Sequence, residues 1–196
     1  MARSYSELEL DALRELASIG SGTAATALSR LLGREIELEV PRALALGLAD
    51  AVDAVGAADT PVTSAVLPVG GVEAVVLLLF SEAEAAALCA LLGVEVGSEV
   101  GDSALAEICN ILGASALGAV ARMTGLSLEP RPPHVLHDML GAVVASALAE
   151  TSGEVDVALV LDTELRVAGV ACGISFLLVP TADGAAELLR RLGLGR

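Results

Sequence analysis

The sequence predicts an α+β domain in which two duplicated halves share one central, mostly antiparallel sheet, related by a pseudo-two-fold and carrying a pair of equivalent helices. Three observations predict it. The pattern Asp11-x3-Glu15-x2-Ser18-x22-Pro41 recurs as Ser103-x3-Glu107-x2-Asn110-x22-Pro133. Each copy opens a stretch that reads helix, helix, strands, helix. No segment rich in Pro, Ser or charge separates the copies, so residues 1–93 and 94–196 read as fused repeats of a single domain.

The elements follow from local pattern. Leu8, Leu10, Leu13, Leu16 and Ala17 recur near a 3.6-residue spacing, with Ser6 and Glu9 placed as a capping box. Ile19-Gly-Ser-Gly22 predicts a weakening or bend, and Thr23–Leu32 a second helix ended by Gly33. Glu35-Ile-Glu-Leu-Glu-Val40 alternates with period two and predicts a strand with a solvated charged face. Further strands are expected around 43–48, 62–68 and 72–80, the last two joined through Gly70-Gly71, before a short helix from Ser81 to Leu92. The second half predicts a helix over 99–112, a break near Gly113 and a helix to Gly125. Strands over 142–148, 154–161 and 167–179 follow, and a helix over 181–192 closes the chain. Aligning residue 11 with 103 matches Ala12 to Ala104, Leu13 to Leu105, Ile19 to Ile111, Ala24 to Ala116, Arg30 to Arg122 and Gly33 to Gly125.

Composition narrows the function classes. Hydrophobic residues make up 55% of the chain, mostly Ala, Val and Leu, which supplies an aliphatic core. A net charge of −15, with every cation an arginine and no basic stripe, opposes binding to nucleic-acid phosphates. No continuous apolar stretch is read as long enough to span a bilayer, and the N-terminus lacks a signal-like apolar run, so a cytoplasmic protein without a membrane partner is expected. Cys89, Cys109 and Cys172 stand far apart and read as buried free thiols. His134 and His137 lack a third ligand nearby, so no metal site is expected.

On a helix, residues i, i+4 and i+7 lie within about 60° of one another. Ser103, Glu107 and Asn110 therefore form one polar line, and Asp11, Glu15 and Ser18 its counterpart. Most helical glutamates simply solvate a surface. A mediocre helix former such as Asn, set in a duplicated frame, points instead to binding and to orienting a water.

The pattern [Asp/Ser]-x3-Glu-x2-Asn-x22-Pro resembles the signature of the CheC/CheX/FliY family of chemotaxis phosphatases. Ser103, Glu107, Asn110 and Pro133 match it throughout; Asp11, Glu15 and Pro41 match it in the first copy, where Ser18 replaces the Asn. The segment Pro132-Pro-His-Val-Leu-His-Asp-Met139 is similar to the one that follows the family's second motif. The duplicated chain is most like the CheC branch. The resemblance implies hydrolysis of the aspartyl phosphate of the response regulator CheY, with Asn110 positioning the attacking water and Glu107 docking the regulator's active-site lysine. It implies a weaker site at Glu15 and Ser18, no cofactor in this chain, and a Mg²⁺ held by CheY. Positions Asp11, Pro41, Ser103 and Pro133 support the motifs. CheD, the receptor deamidase, is an implied partner, with Asp138 its candidate contact. A binding module for CheD, regulated by phosphorylated CheY, is the alternative function. A structural flagellar-switch component is a third, disfavoured because no additional C-terminal domain follows. A monomer is expected, since fused halves remove the need for a second copy.

Overall fold

Strand β3 (Ala74–Ser81) shows how the sheet divides the molecule in the computed structural model, which describes residues 7–149, 151, 154–155, 157–167 and 170–191. Ala74, Val76, Leu78 and Phe80 enter one core, while Val75, Leu77 and Leu79 enter a second. Burial on both faces makes the strand read as a continuous apolar run rather than an alternation. Before β3 come α1 (Glu7–Leu32), β1 (Ile36–Gly47), α2 (Leu48–Val55) and β2 (Pro61–Gly70). After it come α3 (Glu82–Leu92), α4 (Glu99–Thr124), β4 (Glu129–Pro130), β5 (His134–Met139), α5 (Leu140–Ala149), β6 (Val157–Val167), β7 (Val170–Pro180) and α6 (Ala182–Arg191). Helices α1, α3, α4 and α6 contribute to the first core, and α2 and α5 to the second.

All strand pairs are antiparallel, in the order β1-β6-β7-β3-β2-β4, with β5 also on β2. Exchanging β1 for β4 with β5, β2 for β6 and β3 for β7 reproduces the same order from the other edge. The centre of this topological two-fold is the pair Leu77–Leu177, flanked by Val76–Leu178 and Leu78–Phe176. Helix starts obey it too. The Ser81 hydroxyl accepts from the Glu84 N–H and the Thr181 hydroxyl from the Gly184 N–H. Each half lends its first strand to the other, β1 to β6 and β5 to β2, so neither half closes a core alone.

Several expected elements differ. Neither Ile19–Gly22 nor Gly113 interrupts a helix: α1 and α4 are each continuous. Gly20 and Gly113 serve close packing instead. A Cβ on Gly113 would stand 2.6 Å from Leu67 Cδ2, and one on Gly20 would stand 3.0 Å from Ala116 Cα. The apolar run at 142–148 is helix α5, because Leu140, Val143, Val144 and Ala147 recur at helical spacing and cover the second core. Helix α2 and strand β5 were not expected, and β6 runs on past residue 161 to Val167. The cap at Ser6 and the end of the last helix at residue 192 lie outside the described residues. Contrary to expectation, α4 is long and apolar enough, by length and composition, to cross a bilayer; here Leu105, Ile108, Cys109, Leu112 and Leu117 take it into the first core.

Strand β1 carries a feature that its alternating sequence hides. Ile36 and Leu38 face the first core, whereas Leu44 and Leu46, of the same parity, face the second. Glu39 pairs with Glu164 and Arg42 with Asp162, so Val40 and Pro41 together stand opposite Thr163. The extra residue is a β-bulge, and each added residue reverses which face the following side chains take. A proline suits it because no ladder N–H is lost.

Candidate functional site

Helix α4 begins where the Ser98 hydroxyl accepts the Gly101 N–H at 3.0 Å and ends at Gly125, whose positive φ closes the last turn. Leu105, Ile108, Cys109 and Leu112 turn inward. The opposite side carries the predicted line: Ser103 and Glu107 are exposed and Asn110 is half-buried. The side chains of Glu107 and Asn110 make no hydrogen bond or ion pair with any described residue. A free carboxylate and a free carboxamide therefore stand one turn apart on an open helix face.

On α1, Glu15 is likewise exposed and has no ion pair or hydrogen bond to a described residue. Asp11 and Ser18 belong to the same helix by their backbone, but their side chains lie outside the described residues, as does that of Pro41. A two-fold perpendicular to a sheet reverses whatever lies on it, so α1 and α4 run in opposite directions. They cross near Gly20 and Ala116, and their motif-bearing N-terminal halves point to opposite ends. The structure thus keeps the two lines apart rather than merging them into one centre.

The fixed distance from acid to proline has a physical meaning that the spacing alone did not reveal. Pro41 sits at the bulge in β1. Pro133 closes the gap between β4 and β5, where three residues, 131–133, stand opposite two, Leu67 and Pro68, and the Arg131 N–H donates to the Pro68 carbonyl at 2.9 Å. The face reversal repeats: Leu128 packs on the first core and Leu136 on the second. Each proline therefore marks the place where the edge strand beneath the other half changes core.

Asp138 is exposed at the end of β5, its Oδ1 accepting from the Met139 N–H at 2.7 Å. The neighbouring His137 bridges Thr63 and Asp102, residues not singled out from the sequence because the three lie far apart in it. Among the described residues no group of three or more His, Cys, Asp or Glu side chains gathers as a metal site would require. Cys89, Cys109 and Cys172 are free and buried. Burial pushes all three thiols up, Cys172 to about 12, with Glu84 adding to the rise there and Asp102 to that at Cys89. They are inert rather than nucleophilic.

A cavity of about 30 Å³ lies at the helix crossing, lined by Gly20, Ala24, Leu112 and Ala116, large enough for a water and no more. A wider recess of about 570 Å³ opens beside Arg42, Glu84, Asp162 and Glu164. Neither includes Glu15, Glu107 or Asn110. A convex line of this kind cannot enclose a small substrate; whatever it acts on must bring its own pocket.

Residues 8–44 match the model of the CheC-like family. The chain is 38% identical over 169 residues to the CheY-P phosphatase CheC of Bacillus subtilis, covering 81% of this chain and 80% of that one. Among solved structures, Thermotoga maritima FliY superposes with a TM-score of 0.75 at 21% identity, over 99% of this chain and 100% of the other. The FliM–SpeE complex of H. pylori supplies a match with a TM-score of 0.74 at 12% identity, over 97% of each chain. At such identities the two structures speak for the fold alone.

Proposed function

The chain belongs to the CheC-like family, and from that premise we propose that it is a chemotaxis phosphatase that hydrolyses the aspartyl phosphate of a CheY-type receiver domain. The observation that carries this reading is the Glu107–Asn110 pair on the open face of α4, unpartnered among the described residues. In a docked complex the Glu107 carboxylate pairs with the lysine of the receiver's active site. That contact brings the Asn110 carboxamide, both donor and acceptor, beside a water in line with the phosphorus. The water oxygen bonds to phosphorus as the bond to the aspartate oxygen breaks, giving inorganic phosphate and a free carboxylate. Aspartyl phosphate is activated, so placing the water is most of what catalysis needs. The Mg²⁺ is the receiver's, and this chain contributes no metal.

Asp11, Ser103, Pro41 and Pro133 act by framing the two lines, which we attribute to duplication and fusion of one ancestral half. Glu15 docks a receiver at the first line, while Ser18, with a shorter side chain and no amide, leaves its water poorly held. The protein works as a cytoplasmic monomer. A role in binding CheD through the β5 end at Asp138 is the second reading, favoured by the exposure of that carboxylate and of Met139 beside it. The decay of a phosphorylated cognate receiver, followed with Glu107→Ala, Glu15→Ala and Ser18→Asn variants, tests the assignment. Loss with Glu107→Ala, little change with Glu15→Ala and a gain with Ser18→Asn are expected. Retention by Glu107→Ala with loss by Glu15→Ala overturns it, and CheD capture without any turnover favours the second reading.

A further inference from the structure

Where α4 meets edge strand β5, a threonine, a histidine and a carboxylate form one chain. His137 Nε2 lies 2.9 Å from Asp102 Oδ1, and His137 Nδ1 lies 3.0 Å from Thr63 Oγ1. A carboxylate only accepts, so Nε2 donates to Asp102, and Nδ1 shares the second hydrogen bond with the Thr63 hydroxyl. Thr63 is 4% exposed and stands opposite His137 in the β2–β5 ladder. Asp102 immediately precedes Ser103 in the opening turns of α4. The chain thus runs from the sheet interior to the turn where the Ser103–Asn110 line begins.

The other half holds the same place with apolar residues. By the two-fold centred on Leu77 and Leu177, the pairing of Thr63 with His137 corresponds to that of Val157 with Gly47, and by the repeat alignment Asp102 corresponds to Leu10. The fold therefore does not require a polar link here. It is confined to the half that carries the carboxamide.

We propose that His137 is a positioning residue for the Glu107–Asn110 centre, holding the first turns of α4 to β2 and β5 so that the line stays in register when a receiver pulls on it. This rests on the phosphatase reading above. A water-placing mechanism is sensitive to small displacements, and among the described residues no other side-chain hydrogen bond joins these turns to the sheet. His137→Gln preserves a donor and an acceptor; His137→Ala removes both; the triple variant Thr63→Val, Asp102→Leu, His137→Ala replaces the whole link with apolar side chains. Each is measured for kcat and KM on the phosphorylated receiver, for Tm, and for amide hydrogen exchange over Ser103–Asn110. In His137→Ala and the triple variant kcat falls about tenfold at nearly constant KM and exchange rises several-fold, while the triple variant keeps its Tm. His137→Gln recovers most of the loss. Wild-type kcat in the triple variant, unchanged exchange in His137→Ala, or a loss of kcat that merely tracks Tm overturns the proposal. Absence of turnover in the wild-type chain overturns the phosphatase reading and the positioning role with it, whereas an active wild type beside an equally active triple variant sinks this proposal alone.

Discussion

Deleting Pro41 separates the count of residues in β1 from the chemistry of the proline. With one residue fewer, Arg42 and all that follow reverse face, because side-chain direction has period two. Leu44 and Leu46, both half-buried against the second core, leave it. At about 1 kcal/mol for each half-buried leucine, the apolar loss is about 2 kcal/mol. The ion pair between Arg42 and Asp162 is lost as well, adding at most about 1 kcal/mol for an exposed pair. A total of about 3 kcal/mol lowers Tm by about 6–12 °C in a domain of this size. Pro41→Ala keeps the residue count, hence the bulge, and costs about 0.5–1 kcal/mol through the freer unfolded chain. Urea unfolding followed by circular dichroism measures both. Equal losses for deletion and substitution refute the argument, as does a deletion with no loss, because either result means that the extra residue does not set the faces of β1.

Other expectations are simpler. Ser64 is fully buried and its hydroxyl has no partner among the described residues, so Ser64→Ala raises stability by about 1 kcal/mol in the same assay. Gly22→Ala, with nothing within 4 Å of the new Cβ, stabilises α1 by about 1 kcal/mol, while Gly20→Ala forces the helix crossing apart and lowers Tm. Hydrogen bonds from Arg190 and then Arg191 hold the Glu187 carboxyl down at about 2. A depressed carboxylate contributes stability above its unfolded pKa that is lost as pH falls through the folded value, so carbonyl NMR should place its titration near 2, rising with added salt.

Much of this was legible in the chain, and the failures share a cause. The polar line on α4 follows from helical spacing alone, which is why Ser103, Glu107 and Asn110 could be placed on one exposed face without a structure. The glycines at 20 and 113 misled because a glycine that permits close approach looks the same in sequence as one that breaks a helix. Residues 142–148 read as a strand because a short apolar run lacks the polar positions that reveal period, although Leu140, Val143, Val144 and Ala147 do carry it. The alternation of β1 continued through Pro41 in the sequence, and only the register with β6 shows that the two leucines beyond it serve another core. The link from Thr63 through His137 to Asp102 was invisible because no local pattern joins residues brought together by two separate strands and a helix.

Asn110→Ala tests the water-positioning role of the α4 line most directly. The side chain makes no hydrogen bond with any described residue and alanine is the better helix former, so the variant keeps its fold and gains about 0.5 kcal/mol, or about 1–2 °C in Tm. Removing a preorganised water-holding group lowers the rate by about 100-fold or more. Single-turnover decay of a phosphorylated cognate receiver, at saturating concentrations of each protein, reads that rate. A stable variant with decay at the receiver's intrinsic rate is the predicted result, and a stable variant that still speeds decay to within about twofold of wild type contradicts the assignment of the centre.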